Sequence, residues 1–398
     1  MKITFITNSP VWSLGKFQGA PSFYNTIALY ADKGYDITFL TTEKQLDLNE
    51  FESVSIIEMP KLPCIESHFA FGFLRLINKH VNFFLSQFIA LYYLYITSRQ
   101  SNAVYAYEIG YIPGSKWFCT LFSKKLITRF QGTVLTDLVN PISVRKKLLK
   151  CIQFLDQIWA LRVKSDLLLM TNDGTKGKSV VKSITLRTRN ISFLRNGVDL
   201  PNESDLQQLL PKKNQSAVMF ASASRLQPWK RIDRSLRIFA KVSEKWPDCH
   251  YTICGDGIVL NDARELTEKL NISHKVTFLG AVTKTDIYEV LLQSHFFLST
   301  YELSNLGNPL FEAISCNSLV VTVDNGDTAE LISDMETGII SSENEYLSNA
   351  DKILSLLEQP DLQTQILANA KQRLSDDFCS WPIRMEHEYS ITQPIIDA

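Results

Sequence analysis

Short apolar runs alternate with longer amphipathic segments along the whole chain. Runs such as Ile3–Thr7 and Leu319–Val323 have the length and composition of buried strands. Between the runs, segments such as Pro21–Lys33 and Ile232–Lys245 carry apolar residues at helical spacing. This alternation predicts parallel sheets that are covered by helices on both faces.

The pattern assigns elements to both halves of the chain. In the first half it predicts strands Ile3–Thr7, Ile37–Thr41, Ala103–Ala106, Leu126–Phe130 and Leu167–Met170, and helices Pro21–Lys33 and Val144–Leu161. In the second half it predicts strands Ala217–Ala221, His250–Cys254, Val276–Leu279, His295–Leu298, Leu319–Val323 and Gly338–Ile340. The predicted helices of that half are Ile232–Lys245, Leu260–Leu270, Thr285–Gln293, Asn308–Ser315, Thr328–Ser333 and Ser348–Glu358.

A break near residue 196 divides the two halves. The loop Asn196–Pro201 is followed by a polar stretch, 202–215, that contains a Lys-Lys pair. A chain of 398 residues is also long enough for two ordinary domains. We therefore predict an α/β protein with two Rossmann-like, doubly wound domains, 1–195 and 196–375, that face a central cleft. A C-terminal helix, 376–398, is predicted to cross back to the first domain.

One stretch, 69–97, is unusually apolar and aromatic. Polar residues including Arg75, Lys79 and His80 interrupt it, so it has no run of about 20 uncharged apolar residues and is not expected to span a membrane. Two interpretations stay open. The stretch is either a buried domain helix, which we favour, or a surface that contacts lipid or an apolar acceptor.

Composition and charge narrow the class of protein. Seven scattered cysteines without a Cys-x-x-Cys pair or a Cys/His cluster indicate reduced thiols and no zinc site. The first residues run straight into a strand, so a cytoplasmic protein is expected. Residues 1–180 hold 20 Lys and Arg against 13 Asp and Glu, which favours an anionic acceptor or membrane surface near the first half, with ordinary charge scatter as the alternative.

The strongest local motif runs from Ser222 to Arg231, between a strand and an amphipathic helix. Arg225 and Lys230 lie five residues apart in it. A guanidinium and an ammonium group at such a place can bind a diphosphate and stabilise the charge that develops as it leaves. Taken alone, two solvated loop cations would explain the motif as well.

A second motif, Tyr301–Ala313, again joins a strand to a helix. Asn308 and Pro309 suit a helix start, where free backbone N–H groups bind anions. Glu312 can accept hydrogen bonds from ribose hydroxyls, although by itself it resembles a surface carboxylate. The glycines that follow two other strands are a weaker signal of a binding site. They lie in Cys254–Gly257 and Leu279–Val282 and permit close approach of a ligand or of backbone.

The order of the motifs is more specific than any one of them. Asn-Gly-Val-Asp, Arg-Leu-x-x-x-Lys, Gly-x-Gly, Phe-Leu-Gly and a glycine-centred loop followed by Glu-Ala succeed one another over roughly residues 190–345. This order resembles the C-terminal domain of glycosyltransferase family 4, whose members are retaining enzymes of the GT-B architecture. Gln18-Gly19-Ala20-Pro21 resembles that family's first-domain phosphate loop.

The resemblance implies roles for matching residues. Arg225 and Lys230 correspond to the basic pair that binds the donor diphosphate, and Glu312 corresponds to the glutamate that binds the ribose. The implied donor-binding positions are Gly19, Gly255, Gly257, Val282, Ser304, Asn305, Leu306, Gly307 and Asn308.

Two positions depart from the family pattern. Ser304 stands where the first glutamate of Glu-x7-Glu is usual, and Gln131 stands where the family commonly has histidine before a glycine. Because an amide does not exchange a proton, Gln131 is assigned to binding of the donor sugar or the acceptor. Glu108, Asn172 and Asp173 are further candidates for acceptor or sugar contacts, with a plain Asp-Gly turn as the alternative for the last two.

The implied reaction is transfer of a hexosyl or N-acetylhexosaminyl group from a nucleoside diphosphate, most simply UDP, to a glycan, a glycolipid or another hydroxyl acceptor. We expect front-face substitution without a cofactor or a metal ion, since no Asp-x-Asp motif appears and the two cations can replace a divalent ion. Expected partners are the nucleotide-sugar donor, a glycan or lipid-linked acceptor and a peripheral contact with the inner membrane face through the first domain, but no nucleic acid.

Two other classes of protein are built on Rossmann-like domains. A catalytically silent nucleotide-sugar-binding protein of the same fold is the alternative to the enzyme. The missing G-x-G-x-x-G after the first strand argues against a nicotinamide dehydrogenase on Rossmann domains.

Overall fold

The computed structural model describes residues 1–8, 21–42, 51–63, 72–133, 135–138, 143–172, 177–184, 187–198, 217–302 and 306–398. Two compact units are present in the chain. Among the described residues, the first unit comprises those within 1–172, 177–197 and 381–398, and the second comprises those within 198–380. Each unit has its own parallel sheet and its own core.

The first unit follows the predicted alternation of strands and helices. Its elements are β1 (Lys2–Thr7), α1 (Pro21–Asp32), β2 (Asp36–Thr41), β3 (Val54–Glu58), α2 (Gly72–Thr97), β4 (Ala103–Tyr107), α3 (Ile112–Leu121), β5 (Lys125–Phe130), α4 (Val144–Gln153), α5 (Leu155–Arg162), β6 (Leu167–Asn172), α6 (Gly177–Ser183) and β7 (Ile191–Arg195). The strands pair in the order β3-β2-β1-β4-β5-β6-β7, and every pair is parallel.

The second unit repeats this architecture and is followed by a last helix that belongs to the first unit. Its elements are β8 (Val218–Ala223), α7 (Ile232–Lys245), β9 (Cys249–Cys254), α8 (Leu260–Lys269), β10 (Val276–Gly280), α9 (Lys284–Gln293), β11 (Phe296–Ser299), α10 (Asn308–Ser315), β12 (Leu319–Asp324), β13 (Ile339–Ser342), α11 (Ser348–Leu357) and α12 (Pro360–Asp377), and the last helix is α13 (Trp381–Ile396). Here the parallel order is β10-β9-β8-β11-β12-β13.

Both sheets are buried on both faces, as the apolar runs require. In the first sheet, Phe5 and Tyr105 face one core, whereas their neighbours Ile6 and Val104 face another. The predicted fold class of two doubly wound α/β units is therefore confirmed, and the predicted strands are present with ends that differ by one or two residues.

The two strands that the pattern failed to predict, β3 and β7, lie at opposite edges of the first sheet. Their residues are mostly exposed or half-buried. An edge strand has a single neighbour and covers less of the core, so its sequence lacks the continuous apolar run that identified the inner strands.

Two predicted helices were wrong in extent. The predicted helix Val144–Leu161 is broken at Phe154, where Lys79 Nζ of α2 donates to the carbonyl oxygen of Gln153 at 3.0 Å and so satisfies a group freed at the helix end. The predicted helix Thr328–Ser333 is a short 3₁₀ turn, Thr328–Glu330. Side-chain hydroxyls of Thr328 and Thr337 bond to nearby backbone groups there and compete with the helical pattern.

The apolar stretch 69–97 contains helix α2, but the favoured interpretation of a buried helix was wrong for its outer side. Gln87, Ala90 and Leu94 are fully buried on the inner side, where Gln87 Oε1 accepts from a backbone N–H of α3. On the outer side Phe84 and Phe88 are about half exposed, at 47% and 50%. Within the described part of the chain, no helix is long and apolar enough to cross a membrane.

The last helix, α13, is held to the first unit by a buried ionic cluster. Glu388 and Arg129 are both fully buried, with Arg129 Nη1 3.1 Å from each carboxylate oxygen. Tyr105 donates to the same carboxylate at 2.7 Å, and Arg384 also pairs with it. Although burial alone raises the pKa of Glu388, the charges of Arg129 and Arg384 lower it well below its usual range.

Candidate functional site

The order of the second sheet defines where its ligand crevice lies. From β8 the chain extends the sheet outward through β9 and β10, and then returns to place β11 on the other side of β8. In open parallel sheets, ligands bind beyond the carboxyl ends of the strands at such a switch point. The segments that follow β8 and β11 are those that carry the two main sequence motifs.

The segment after β8 brings its cations to this point. Arg225 is exposed and Lys230 is half-buried at the end of a 3₁₀ turn, Pro228–Lys230. The Lys230 ammonium lies 3.5 Å from the centroid of the Tyr301 ring and 4.1 Å from that of Trp229. Aromatic faces can hold a cation without neutralising it.

Burial and the neighbouring guanidinium change the acidity of this lysine. Burial first, and then the charge of Arg225, lower the pKa of Lys230 to about 7. Among the residues that the structure describes, no carboxylate pairs with Lys230. A lysine in this state is stabilised when an anion arrives.

Tyr301, just after β11, links the segments around the crevice. Its hydroxyl donates to the carbonyl oxygen of Ala223 at 3.3 Å, and Glu302 N donates to the carbonyl oxygen of Trp229 at 2.8 Å. Burial raises the pKa of Tyr301, with a further contribution from the charge of Glu312. The two predicted motifs therefore meet at Tyr301.

The second motif forms the start of α10. Gly307 occupies the N-cap position and has no side chain with which to accept the first N–H groups of the helix, and Pro309 lies in its first turn. Glu312 is buried within α10, with its Oε1 3.6 Å from Lys284 Nζ at the start of α9. The interpretation of Glu312 as an exposed surface carboxylate was wrong.

The glycine pair after β9 serves backbone packing. A Cβ on Gly255 would lie 1.8 Å from the carbonyl oxygen of Ser224, and one on Gly257 would lie 2.3 Å from that of Leu226. Ser224 N and Leu226 N also donate to the carbonyl oxygens of Cys254 and Asp256. The pair thus shapes the segment that carries Arg225, and the close approach is by backbone.

The remaining predicted donor positions are partly described. Val282 is half-buried. It follows Gly280, whose carbonyl oxygen accepts from Gly255 N at 2.7 Å, and it precedes the capping box of Thr283 and Asp286 that begins α9. Leu306 and Asn308 are also half-buried. Gly19, Ser304 and Asn305 lie outside the described residues.

In the first unit the structure places Gln131 and Glu108 at the carboxyl ends of β5 and β4. Gln131 Oε1 accepts from the hydroxyls of Tyr107 at 3.1 Å and Thr171 at 3.3 Å, and its Nε2 lies 3.4 Å from Asn196 Oδ1. Gln131 N donates to Glu108 Oε1 at 2.8 Å, so the two predicted acceptor residues contact each other.

The two other acceptor candidates are Asn172 and Asp173, at and after the end of β6. The backbone of Asn172 ends β6 and pairs with Arg195, whereas its side chain and all of Asp173 lie outside the described residues. In the described ranges, no group of three or more His, Cys, Asp and Glu side chains is arranged to hold a metal ion.

Sequence reasoning missed three contributors to these sites. Trp229 and Tyr301 hold Lys230, and Lys284 pairs with Glu312. Lys284 lies 28 residues before Glu312, on a different helix, so spacing along the chain gave no signal for the pair. Trp229 and Tyr301 were inside the quoted motifs, where an aromatic residue next to a cation was the available signal.

Residues 205–373 match the family described as Glycosyl transferases group 1. The match confirms, over this range, the family resemblance of the ordered motifs.

Individual relatives are more distant. The phosphatidylinositol N-acetylglucosaminyltransferase GPI3 subunit of Saccharomyces cerevisiae is 25% identical over 167 residues, which is 42% of this chain and 37% of the yeast protein. The N-acetyl-alpha-D-glucosaminyl L-malate synthase of Bacillus anthracis is 23% identical over 265 residues, 66% of each chain. The chain thus spans well under half the length of the yeast relative.

Solved structures extend the likeness to the whole fold. The crystal structure of Anabaena HepE in complex with UDP has a TM-score of 0.72 with this chain at 16% identity, covering 99% of this chain and 100% of HepE. At this identity the likeness shows the fold alone.

Proposed function

We propose that the protein transfers an N-acetylhexosamine from UDP to a hydroxyl acceptor with retention of the anomeric configuration. The premise is the match of residues 205–373 to glycosyl transferases group 1. The observation that carries this proposal is the pair Arg225 and Lys230 beyond β8, at the switch point of the second sheet. The two relatives described above are both named for N-acetylglucosaminyl chemistry, which supports this sugar as the first donor to test.

The chemistry requires stabilisation of a leaving diphosphate. As the bond between sugar C1 and the phosphate oxygen breaks, negative charge develops on UDP. Arg225 and protonated Lys230 would bind that charge, and the N–H groups at the start of α10 would add the positive end of a helix dipole. With two cations present, we propose that no metal ion and no cofactor is needed.

Retention follows from attack on the face that the diphosphate leaves. The acceptor oxygen forms the new bond to C1 on that face, while its proton passes to the departing phosphate oxygen, so the products are UDP and an α-glycoside. No side chain has to act as a nucleophile in this step. Glu312 would accept hydrogen bonds from the ribose hydroxyls, with Lys284 orienting its carboxylate.

Gln131 and Glu108 are proposed to bind the acceptor or the sugar. The Gln131 side chain is oriented by Tyr107 and Thr171, and the Glu108 carboxylate is oriented by the Gln131 backbone N–H. Groups whose orientation is set in advance lose little entropy on binding. A glycan or lipid-linked acceptor agrees with the basic first half of the chain.

The test uses the full chain with UDP-N-acetylglucosamine, UDP-N-acetylgalactosamine, UDP-glucose and GDP-mannose. Thermal shift reports donor binding, UDP release in the presence of an acceptor panel reports turnover, and NMR of the product reports its anomeric configuration. We expect Arg225→Ala/Lys230→Ala to weaken donor binding by about a hundredfold or more, because two charge-assisted hydrogen bonds are lost.

The matched control is Arg237→Ala/Lys245→Ala, which removes two exposed cations from the neighbouring helix α7 and should leave binding unchanged. Equal affinity of wild type and the Arg225/Lys230 variant would overturn the proposal. Donor binding without any UDP release would favour the silent binding protein instead, and a β-glycoside product would exclude retention.

A further inference from the structure

The first unit exposes a surface that the transfer reaction does not explain. We call it the basic aromatic face. Its apolar part includes Phe84, Leu85, Phe88, Leu148, Leu149 and Trp159, which are between 37% and 62% exposed. Its cations include Lys116, Lys146, Lys147, Lys150, Arg162 and Lys164.

The helices that carry this face are in contact with one another. The ring of Phe84 on α2 stacks on Trp159 of α5 with centroids 6.4 Å apart, and Phe88 meets Trp117 of α3 at 5.6 Å. Lys79 of α2 bonds both the end of α4 and Asp156 of α5. These contacts connect Phe84, Phe88 and Trp159 and hold α4 against α2.

Helix α4 has the composition of a membrane-surface helix. None of its residues is buried. Val144, Leu148 and Ile152 recur at four-residue spacing along one side, and Lys146, Lys147 and Lys150 fall on another. A basic amphipathic helix whose apolar side is uncovered is typical of binding at the interface of a bilayer.

The charge of the face is almost purely positive. Helices α2 to α5 contain eight Lys and Arg residues and a single carboxylate, Asp156. Asp156 is 3% exposed and lies 2.8 Å from Lys79 Nζ, so it adds little negative potential at the surface. Two such faces would repel each other, which argues against a second copy of this chain as the occupant.

A cavity of about 420 Å³ opens on the same face between α3 and α5. It is lined by Trp117 and Trp159 together with Lys116, Arg162, Lys164 and Arg187. Lys164 precedes β6, at the amino end of that strand, and supplies a cation on that side of the cavity. Cations beside indole rings suit a phosphate that is attached to an apolar body.

We propose that the basic aromatic face docks on a bilayer that contains anionic phospholipid. Phe84, Phe88 and Leu148 enter the interfacial region, the lysines of α4 lie over the anionic headgroups, and the cavity takes the phosphate of one lipid. This interaction goes beyond sugar transfer and requires no donor, so its failure would leave the proposed reaction standing.

The test is flotation of the full chain with vesicles of phosphatidylcholine alone or mixed two to one with phosphatidylglycerol. We expect binding to the mixed vesicles that weakens as salt is added. Lys146→Gln/Lys147→Gln/Lys150→Gln should lower the partition coefficient about a hundredfold, at roughly fivefold per cation near an anionic surface. Phe84→Ser/Phe88→Ser should lower it about tenfold or more.

Matched controls come from the second unit. Arg237→Gln/Lys245→Gln/Lys371→Gln removes the same net charge, and Ile258→Ser/Leu347→Ser removes two exposed apolar side chains. Both should bind like wild type, and thermal unfolding checks that every variant is folded. Arg162→Gln/Lys164→Gln tests the cavity and should reduce the preference for the anionic vesicles several-fold.

Three outcomes would overturn the proposal. The first is equal binding, or none, to the two kinds of vesicle. The second is a charge control that loses as much binding as the α4 variant. The third is a wild-type dimer, seen by analytical ultracentrifugation, that Phe84→Ser/Phe88→Ser dissociates, since a second copy would then cover the face.

Discussion

Arg129 in the first unit and Lys230 in the second are both removed from water, but the chain surrounds them differently. Arg129 is fully buried against the Glu388 carboxylate. Burial lowers the pKa of its guanidinium, but Glu388, Tyr105 and Tyr107 together raise that pKa above its ordinary value. Lys230 lies between Trp229 and Tyr301 beside a second cation, and its pKa falls to about 7.

The difference indicates what each cation does. A buried cation with a carboxylate partner is already neutralised and joins two parts of the fold, here the sheet and α13. A cation held by aromatic rings keeps its capacity to bind an anion. The comparison predicts that changing Arg129 or Glu388 alters stability, whereas changing Lys230 alters ligand binding.

The largest expected effect is that of Glu388→Ala. It leaves Arg129 and Arg384 buried without their carboxylate, which should lower the free energy of unfolding of the first unit by about 3–5 kcal/mol. Urea denaturation followed by circular dichroism measures the loss. Glu386→Ala, on the same helix, removes an exposed partner of Lys33 and should change stability far less than Glu388→Ala does.

The effect of Glu388→Ala should also depend on pH. Because the folded pKa of Glu388 is lowered, its stabilisation is complete above the unfolded pKa, about 4.3, and is lost as pH falls further toward the folded pKa. The difference in stability between wild type and variant should therefore shrink below about pH 4. A difference that is constant down to the acid limit would contradict the proposed role of the ionised carboxylate.

Gly255→Ala should have the next largest effect. Gly255 has φ +135°, and a Cβ there would lie 1.8 Å from the Ser224 carbonyl oxygen. We expect a loss of about 1–3 kcal/mol together with weaker donor binding, because the segment that carries Arg225 must move. Gly34→Ala is the control in the first unit, since it also has positive φ but no atom within 4 Å of the added Cβ. A similar loss of donor affinity in both variants would show that Gly255 has no specific effect on the donor site.

The pH dependence of donor binding tests the Lys230 half of the comparison. As pH rises above about 7, Lys230 loses its proton in the free protein, so donor affinity should fall by up to about tenfold per pH unit. Lys230→Arg keeps the charge at all these pH values and should flatten the profile. Isothermal titration calorimetry with UDP across pH 6 to 9 measures the affinity of wild type and of Lys230→Arg. Equal slopes of affinity against pH for the two proteins would contradict the role of Lys230 in donor binding.

The smallest expected effect concerns the Lys284–Glu312 pair, in which a partly exposed cation faces a buried carboxylate. Lys284 is 36% exposed and Glu312 is buried. Lys284→Gln should cost about 1 kcal/mol of stability at most and weaken UDP binding a few-fold, since Glu312 loses its orienting partner. Binding of a nucleoside diphosphate that lacks the ribose hydroxyls should be unaffected by the change, and an equal loss for both ligands would remove Glu312 from the ribose site.

The inner strands and the order of the motifs could be predicted because their signals are local. Runs such as Leu319–Val323 are buried on both faces, so their composition identifies them. Arg225 and Lys230 fall within six residues of each other, and a strand followed by a helix places both beyond the end of β8. The edge strands β3 and β7 carried no such signal, because one neighbour and partial exposure leave a mixed sequence.

The amino-acid sequence by itself determined the two doubly wound units and the segment that holds the basic pair, because period, turn residues and motif order are properties of neighbouring residues. Only the tertiary structure decided which cations are neutralised and which apolar side chains stay exposed. Arg129 meets Glu388 across 259 residues, and α2 buries Ala90 and Leu94 on one side while Phe84 and Phe88 stay about half exposed on the other. Such pairings depend on distance in space, which sequence separation does not encode.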